Sequence, residues 1–157
     1  RLAPDLSLTQ LLSNITVSNG IAFSQEENIM YFADTPTARI QKFEYSQDFK
    51  KLHELDSNLI FNDVGVPDGA TMDCQNNYWS ARVRGNCIIC IDMKKEKILK
   101  KINLPTATPT CVTFGGPDSS NLFVTSLRAE PINDNADGNF YKVETNTKGQ
   151  KQLLSEI

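Results

Sequence analysis

The chain repeats a four-strand pattern at intervals of 42 to 49 residues, counted from Asn19 to Asp68 and from Asp68 to Thr110. Each repeat opens with a short segment that leads, through a turn rich in Asn, Asp or Gly, to a more apolar second strand. No segment keeps a helical period over three turns. Because about 40 to 50 residues holding four strands are typical of one β-propeller blade, the pattern predicts an all-β chain made of propeller blades.

The repeats predict a single domain across residues 1–157. This domain is predicted to contain the closing strands of a preceding blade, followed by three blades. The closing strands include one over 8–12, and the third blade ends with a strand over 150–154. Residues 1–17 form the closing strands, and the blades cover 18–62, 63–106 and 107–157. Three blades fall short of the roughly four to eight of a closed propeller. We therefore expect a half-propeller that a second copy or an N-terminal half of a longer protein completes.

The charge balance restricts the possible partners. Sixteen Lys and Arg against 19 Asp and Glu give a formal net charge of −3, so no basic field attracts nucleic acid. The Lys-rich segment 94–101 is predicted to be an exposed hairpin. The sequence shows no apolar stretch of membrane-spanning length and no secretory signal, so the expectation is no membrane and a cytoplasmic location. The chain begins at Arg1, which leaves its natural start open.

Four cysteines leave several interpretations open. Only Cys87 and Cys90 are close in sequence, and the single His53 lies far from them, which is poor spacing for a structural zinc site. Cys87 and Cys90 are three residues apart in a predicted buried strand, and strand residues with this spacing point to opposite faces. Free structural thiols are the favoured interpretation, and a redox or metal pair or disulfides are the alternatives.

Two openers carry an oxygen-bearing side chain directly before glycine, in Asn19-Gly20 and Asp68-Gly69. On the residues alone, the simpler interpretation is a turn, because Asn-Gly and Asp-Gly are common turn dipeptides. The same side chains supply an amide and a carboxylate oxygen, which are ligands suited to calcium. Trp79 is predicted to lie in the core, whereas Arg82 is a minor candidate for the channel mouth.

Several ordered segments resemble the senescence marker protein, gluconolactonase and luciferin-regenerating enzyme family, which includes regucalcin. The segments are Ser18 to Ser24, Tyr31 to Ile40, Val66 to Asp73, and Phe114 to Asp118 followed by Leu122 to Ser126. The resemblance runs from about residue 1 to about residue 150 and covers only the C-terminal half of the family pattern. It implies a six-bladed propeller, to which this chain supplies about three four-stranded blades.

The resemblance also implies a site. Asn19 matches the family's metal-binding Asn, and Asp68 matches the Asp that binds metal and is thought to act as general base. The implied cofactor is one divalent metal, calcium first, with magnesium, manganese and zinc as alternatives. The family's first metal ligand, a Glu, and its substrate-contacting Arg and Asn lie in the half that this chain does not match. Only two of three protein ligands are therefore expected here.

The expected function is a divalent-metal-dependent hydrolase of lactones or related esters that needs a completed propeller. Its partner would be a small-molecule lactone or ester. The alternative is a non-catalytic propeller remnant that binds a ligand or a protein. If the chain completes the ring as a homodimer, the contact is predicted to involve blade faces near Ile21, Phe32, Val112 and Phe123.

Overall fold

The computed structural model describes residues 1–128 and 137–151, which form three antiparallel sheets. In each sheet, strands that follow one another in sequence lie side by side. The first sheet contains β1 (Ser18–Ser24), β2 (Ile29–Asp34), β3 (Arg39–Tyr45) and β4 (Leu52–Ile60). The second contains β5 (Val66–Met72), β6 (Asn77–Val83), β7 (Cys87–Asp92) and β8 (Lys97–Asn103). The third contains β9 (Pro109–Gly115), β10 (Asn121–Ser126) and β11 (Phe140–Glu144).

The all-β prediction is confirmed. The described residues contain two short 3₁₀ turns, Thr35–Thr37 and Asn62–Val64, and no helix among them has the length and apolarity needed to cross a membrane. The third sheet shows three strands in the described part of the chain rather than the predicted four. Most of the predicted strand at 150–154 lies outside the described residues.

The predicted strand at residues 8–12 is wrong. Leu8 makes a single bridge to Leu2, and the rest of the segment forms no ladder with the described residues. Nearby backbone groups bond locally instead, with Ala3 N–H donating to the Ser7 carbonyl and Thr9 N–H to the Arg1 carbonyl. A strand is stable only with a neighbour that accepts its hydrogen bonds, and here the described chain supplies none.

The second sheet is buried on both faces, because β7 is apolar at every position from Cys87 to Ile91. Cys87, Ile89 and Ile91 pack toward the first sheet, and Ile88 and Cys90 pack toward the third. The two cysteines therefore point to opposite faces, and all four cysteines of the chain are free, as predicted. Burial raises the pKa of Cys90 to about 12, so this thiol stays protonated near neutral pH.

Trp79 confirms its predicted place in the core. Only 1% of its surface is exposed, and its ring packs edge-on against Phe114 of the third sheet. Its indole Nε1–H donates to Asp73, whose carboxylate also accepts the Gln75 and Asn77 backbone N–H groups of the turn between β5 and β6. This network fixes the turn between β5 and β6, which lies at the other end of β5 from Asp68. The Lys-rich hairpin between β7 and β8 is exposed, also as predicted.

The two outer sheets each keep an apolar face that no further sheet of the described chain covers. On the first sheet, Met30, Phe32 and Phe43 form a cluster that packs only against partly buried residues, including Leu12 and Ile15 of the N-terminal segment. On the third, the rings of Phe123 and Phe140 stack at 5.7 Å. The described residues thus form a row of three sheets with two open ends.

Candidate functional site

All three sheets are irregular at one end of their first strand. The register of β1 against β2 shifts just after Asn19, that of β5 against β6 shifts at Asp68 and Gly69, and that of β9 against β10 shifts at Thr110. A β-bulge redirects the side chains around it and is frequent beside functional sites. The three openers recognised in the sequence therefore share one local geometry, and both predicted site residues lie in it.

Asn19 is partly exposed at the start of β1. Its amide Nδ2 donates to the Thr35 hydroxyl at 2.9 Å. That bond fixes the amide and leaves its oxygen, Oδ1, as the acceptor, with no hydrogen bond from the described residues. Behind it, the Tyr78 hydroxyl donates to the Gly20 carbonyl at 2.6 Å, which holds the β1 backbone against the second sheet.

Asp68 is partly buried in β5. Burial raises the pKa of its carboxyl above the usual range, and a hydrogen bond from the Gly69 backbone N–H opposes the rise. No ion pair involves Asp68 within residues 1–128 and 137–151. A carboxylate with a raised pKa and no neutralising cation is suited to accept a proton from water near neutral pH.

A short hydrogen-bond chain brings the two predicted residues together. Thr35, which receives the Asn19 amide, donates its own hydroxyl hydrogen to the Pro67 carbonyl at 2.8 Å. Pro67 directly precedes Asp68, so Thr35 couples the first opener to the second. Thr35 was not among the predicted site residues, although it lies in the Asp34-Thr35-Pro36 segment that follows β2, a place where a short polar side chain reaches the neighbouring sheet.

A shallow groove of 340 Å³ lies along these openers. Asn19 and Gly20 contribute one wall, together with Ile21 and Phe32, and the neighbouring openers contribute Gly69, Ala70 and Cys111. The lining is mostly apolar and small. Such a groove suits the ring of a small neutral molecule, held by a few polar groups at the edge.

Arg82 does not face a channel mouth, in contrast to the minor prediction made for it. The side chain is fully buried, and its guanidinium donates to the Phe61, Val64 and Gly65 carbonyls of the segment that leads into β5. Burial lowers its pKa to about 10, which keeps it charged at neutral pH. These hydrogen bonds fix the backbone just before Asp68, so Arg82 positions the segment that carries Asp68 without facing the groove.

The fit of a divalent metal depends on the donors present. Asn19 and Asp68 offer one amide oxygen and one carboxylate, which are the hard ligands of calcium or magnesium. Within the described ranges, no cluster of three or more His, Cys, Asp or Glu residues is arranged to hold a metal ion. The donor chemistry fits a hard cation, and most of calcium's roughly six to eight oxygen positions would fall to water, substrate or residues from elsewhere.

Sheets of consecutive antiparallel strands, each bulged at the same end of its first strand, define a protein built from propeller-type blades. Comparison with known proteins specifies the class. The sequence model described as SMP-30/Gluconolactonase/LRE-like region matches residues 1–128. The chain belongs to this family.

Individual proteins similar to this chain agree with the family assignment. A 6-deoxy-6-sulfogluconolactonase from Pseudomonas putida is 34% identical over 119 residues, which are 75% of this chain and 40% of the relative. Regucalcin from Xenopus laevis is 30% identical over 128 residues, or 80% of this chain and 42% of the relative. The solved structure of a luciferin-regenerating enzyme superposes with a TM-score of 0.83 at 30% identity, covering 94% of this chain and 52% of that one. The chain thus spans about half the length of these relatives.

Proposed function

We propose that this chain contributes one half of the active site of a divalent-metal-dependent hydrolase of lactones or related esters. The observation that carries the proposal is the partly buried Asp68 carboxylate, free of ion pairs within the described residues, on the opener that Thr35 links to the Asn19 opener. Gluconolactonase relatives make a lactone the favoured substrate class. Calcium is the favoured metal, and magnesium, manganese and zinc are the alternatives.

In this proposal Asp68 is the general base. Its carboxylate accepts a proton from the water that attacks the lactone carbonyl carbon, the ring C–O bond breaks, and the ring oxygen leaves as a hydroxyl after taking up a proton. A bound divalent cation would supply polarisation of the carbonyl and a lower pKa for its own water. Asn19, held by Thr35, keeps its amide oxygen in place for that cation or for substrate.

The proposal includes a completed propeller. The chain spans about half of its relatives, and its outer sheets keep open apolar faces. An N-terminal half or a second copy would supply the missing ligands and the rest of the pocket. One observation favours the alternative, a non-catalytic binding unit: the described residues offer only two candidate metal ligands at the site.

The test is lactone hydrolysis, followed as acid release, by the chain alone and in its complete assembly. Asp68→Asn is expected to lower kcat at least 100-fold, in line with the roughly 10²- to 10⁴-fold effect of a general base. Asp118→Asn is the matched control, because Asp118 is exposed in the distant turn between β9 and β10. Asn19→Ala should raise the calcium concentration needed for half-maximal activity. Full activity of the Asp68 variant would contradict the proposal.

A further inference from the structure

The third opener carries a hydroxyl where the second carries its carboxylate. Thr110 occupies in β9 the position that Asp68 occupies in β5, directly after a proline and at the irregularity of the strand. The spacing of the openers in the sequence already aligns Thr110 with Asp68, although Pro-Thr-Cys, unlike Asn-Gly and Asp-Gly, does not predict a site residue there. The strand pairing adds that Thr110 lies in the same kind of bulge.

Close backbone contacts place the three openers side by side. A β-carbon built on Gly69 would lie 2.8 Å from the Thr110 carbonyl oxygen and 2.9 Å from Cys111 Sγ. A β-carbon built on Gly20 would lie 3.3 Å from the Asp68 carbonyl oxygen in the same way. The order Asn19, Asp68, Thr110 therefore continues across the three sheets, and Thr110 directly follows Asp68 in that row.

The Thr110 hydroxyl is paired with a second one. Its Oγ1 lies 2.8 Å from Oγ1 of Thr125 on β10, and Thr125 Oγ1 also accepts the Cys111 backbone N–H at 3.1 Å. In the first and second sheets, the position on the second strand equivalent to Thr125 is held by a fully buried alanine, Ala33 or Ala81. These alanines directly precede the pairing partners of Ser18 and Pro67. Within the described part of the chain, the third sheet alone carries a hydroxyl pair there, with Thr110 partly exposed and Thr125 exposed. The residue that follows Thr110, Cys111, lines the groove.

We infer that Thr110 and Thr125 form a subsite for the ring hydroxyls of the substrate. Two coupled hydroxyls both donate and accept hydrogen bonds, so they match the hydroxyl groups of a neutral polyhydroxylated ring. They carry no charge to attract an anion. The inference rests on the proposed lactonase function and adds two specificity residues to that site. A ring hydroxyl can replace water on this pair, whereas an unsubstituted ring offers no group that bonds to it.

The test compares a hydroxylated with a plain lactone, glucono-1,5-lactone and δ-valerolactone, in the assembly that is active. Thr110→Val keeps the shape of the side chain and removes the hydroxyl. It should lower the ratio of kcat/KM for the hydroxylated over the plain lactone about 10-fold, a typical effect of one lost hydrogen bond to substrate. Thr110→Ser should restore the ratio. Thr113→Val, further along β9 and exposed, is the control and should leave it unchanged.

A binding measurement separates this inference from the proposed function. Methyl glucoside offers ring hydroxyls and no ester, so calorimetric titration reports the subsite without catalysis. Weaker binding to Thr110→Val than to the unaltered protein supports the subsite even where no lactone is hydrolysed, and in that case only the hydrolase proposal fails. Equal losses on both lactones, or unchanged glucoside binding by Thr110→Val, overturn the subsite while hydrolysis by the unaltered protein still stands.

Discussion

Gly20 shows how one residue fixes the position of Asn19. Its φ of +58° lies in the left-handed region, which strongly favours glycine. A β-carbon there would lie 2.5 Å from the Tyr78 hydroxyl oxygen and 2.9 Å from the Ala33 β-carbon. Both neighbours are fully buried, and the Tyr78 hydroxyl is bonded to the Gly20 carbonyl, so neither moves freely.

Gly20→Ala is therefore expected to destabilise the fold by about 2 to 4 kcal/mol, the sum of left-handed strain and overpacking. Gly116→Ala is the matched control. Gly116 has a φ of +88°, but its built β-carbon meets only the side chain of Asn121, which can rotate away. Urea unfolding of both variants measures the difference. Equal losses would mean that backbone strain alone, and not the Tyr78 contact, requires glycine at position 20.

The residues of the site differ in how far the sequence predicts them. Asn19 and Asp68 follow from the family resemblance, and the structure places them on neighbouring openers. Thr35 and Thr110 have no such signal. The Thr35 hydroxyl connects the first sheet to the second, and the Thr110 hydroxyl meets Thr125 of the neighbouring strand. Neither contact can be read from the sequence, because each depends on which strand lies alongside.

At the level of elements, the first two sheets fix the start of their first strand in the same manner. The last residue of β2, Asp34, accepts the Thr16 and Val17 backbone N–H groups just before β1. Arg82, near the end of β6, donates to the carbonyls just before β5. The carboxylate of Asp34 and the guanidinium of Arg82 thus have the same role, since each fixes the backbone just before the strand that carries a site residue.

The Asp34 interaction predicts a pH dependence. The two backbone hydrogen bonds lower the pKa of its carboxyl, so the folded value lies below the unfolded value of about 3.9. Its stabilising contribution is therefore present above that unfolded value and is lost as pH falls through the lowered folded pKa. The difference in unfolding free energy between wild type and Asp34→Asn should be largest near neutral pH and shrink toward pH 3.

Urea titrations at several pH values check this expectation. Asp63→Asn is the control, because Asp63 is exposed and makes no hydrogen bond or ion pair with the described residues. A constant difference between wild type and Asp34→Asn at all pH values would show that the Asp34 contribution comes from packing rather than from its charge.

The same elements show what periodicity can predict. Alternation and β-branched residues located the strands of all three sheets because each buries at least one face. Residues 8–12 carry a similar pattern, yet they form only one bridge, because composition does not tell whether a neighbouring strand exists. The bulges were also beyond prediction, since they depend on the pairing register and not on either strand alone.

For the whole molecule, the open faces of the first and third sheets decide how the chain behaves on its own. Of the four residues predicted for a dimer contact, Phe32 and Val112 are buried within the chain, whereas Ile21 is 55% exposed and Phe123 is half-buried. Phe140, stacked on Phe123, is 67% exposed. In a twofold pair, the first sheet of each copy would cover the third sheet of the other, which closes both open ends at once.

The isolated chain is therefore expected to self-associate, and Phe140→Glu should shift it toward monomer because a carboxylate on the covered face loses its hydration. Leu99→Glu is the control: Leu99 is 49% exposed on β8, the edge strand of the middle sheet, away from both open faces. Sedimentation velocity over a range of concentrations measures both variants. A wild-type chain that stays monomeric at all concentrations would rule out the homodimer and leave an N-terminal half as the expected cover.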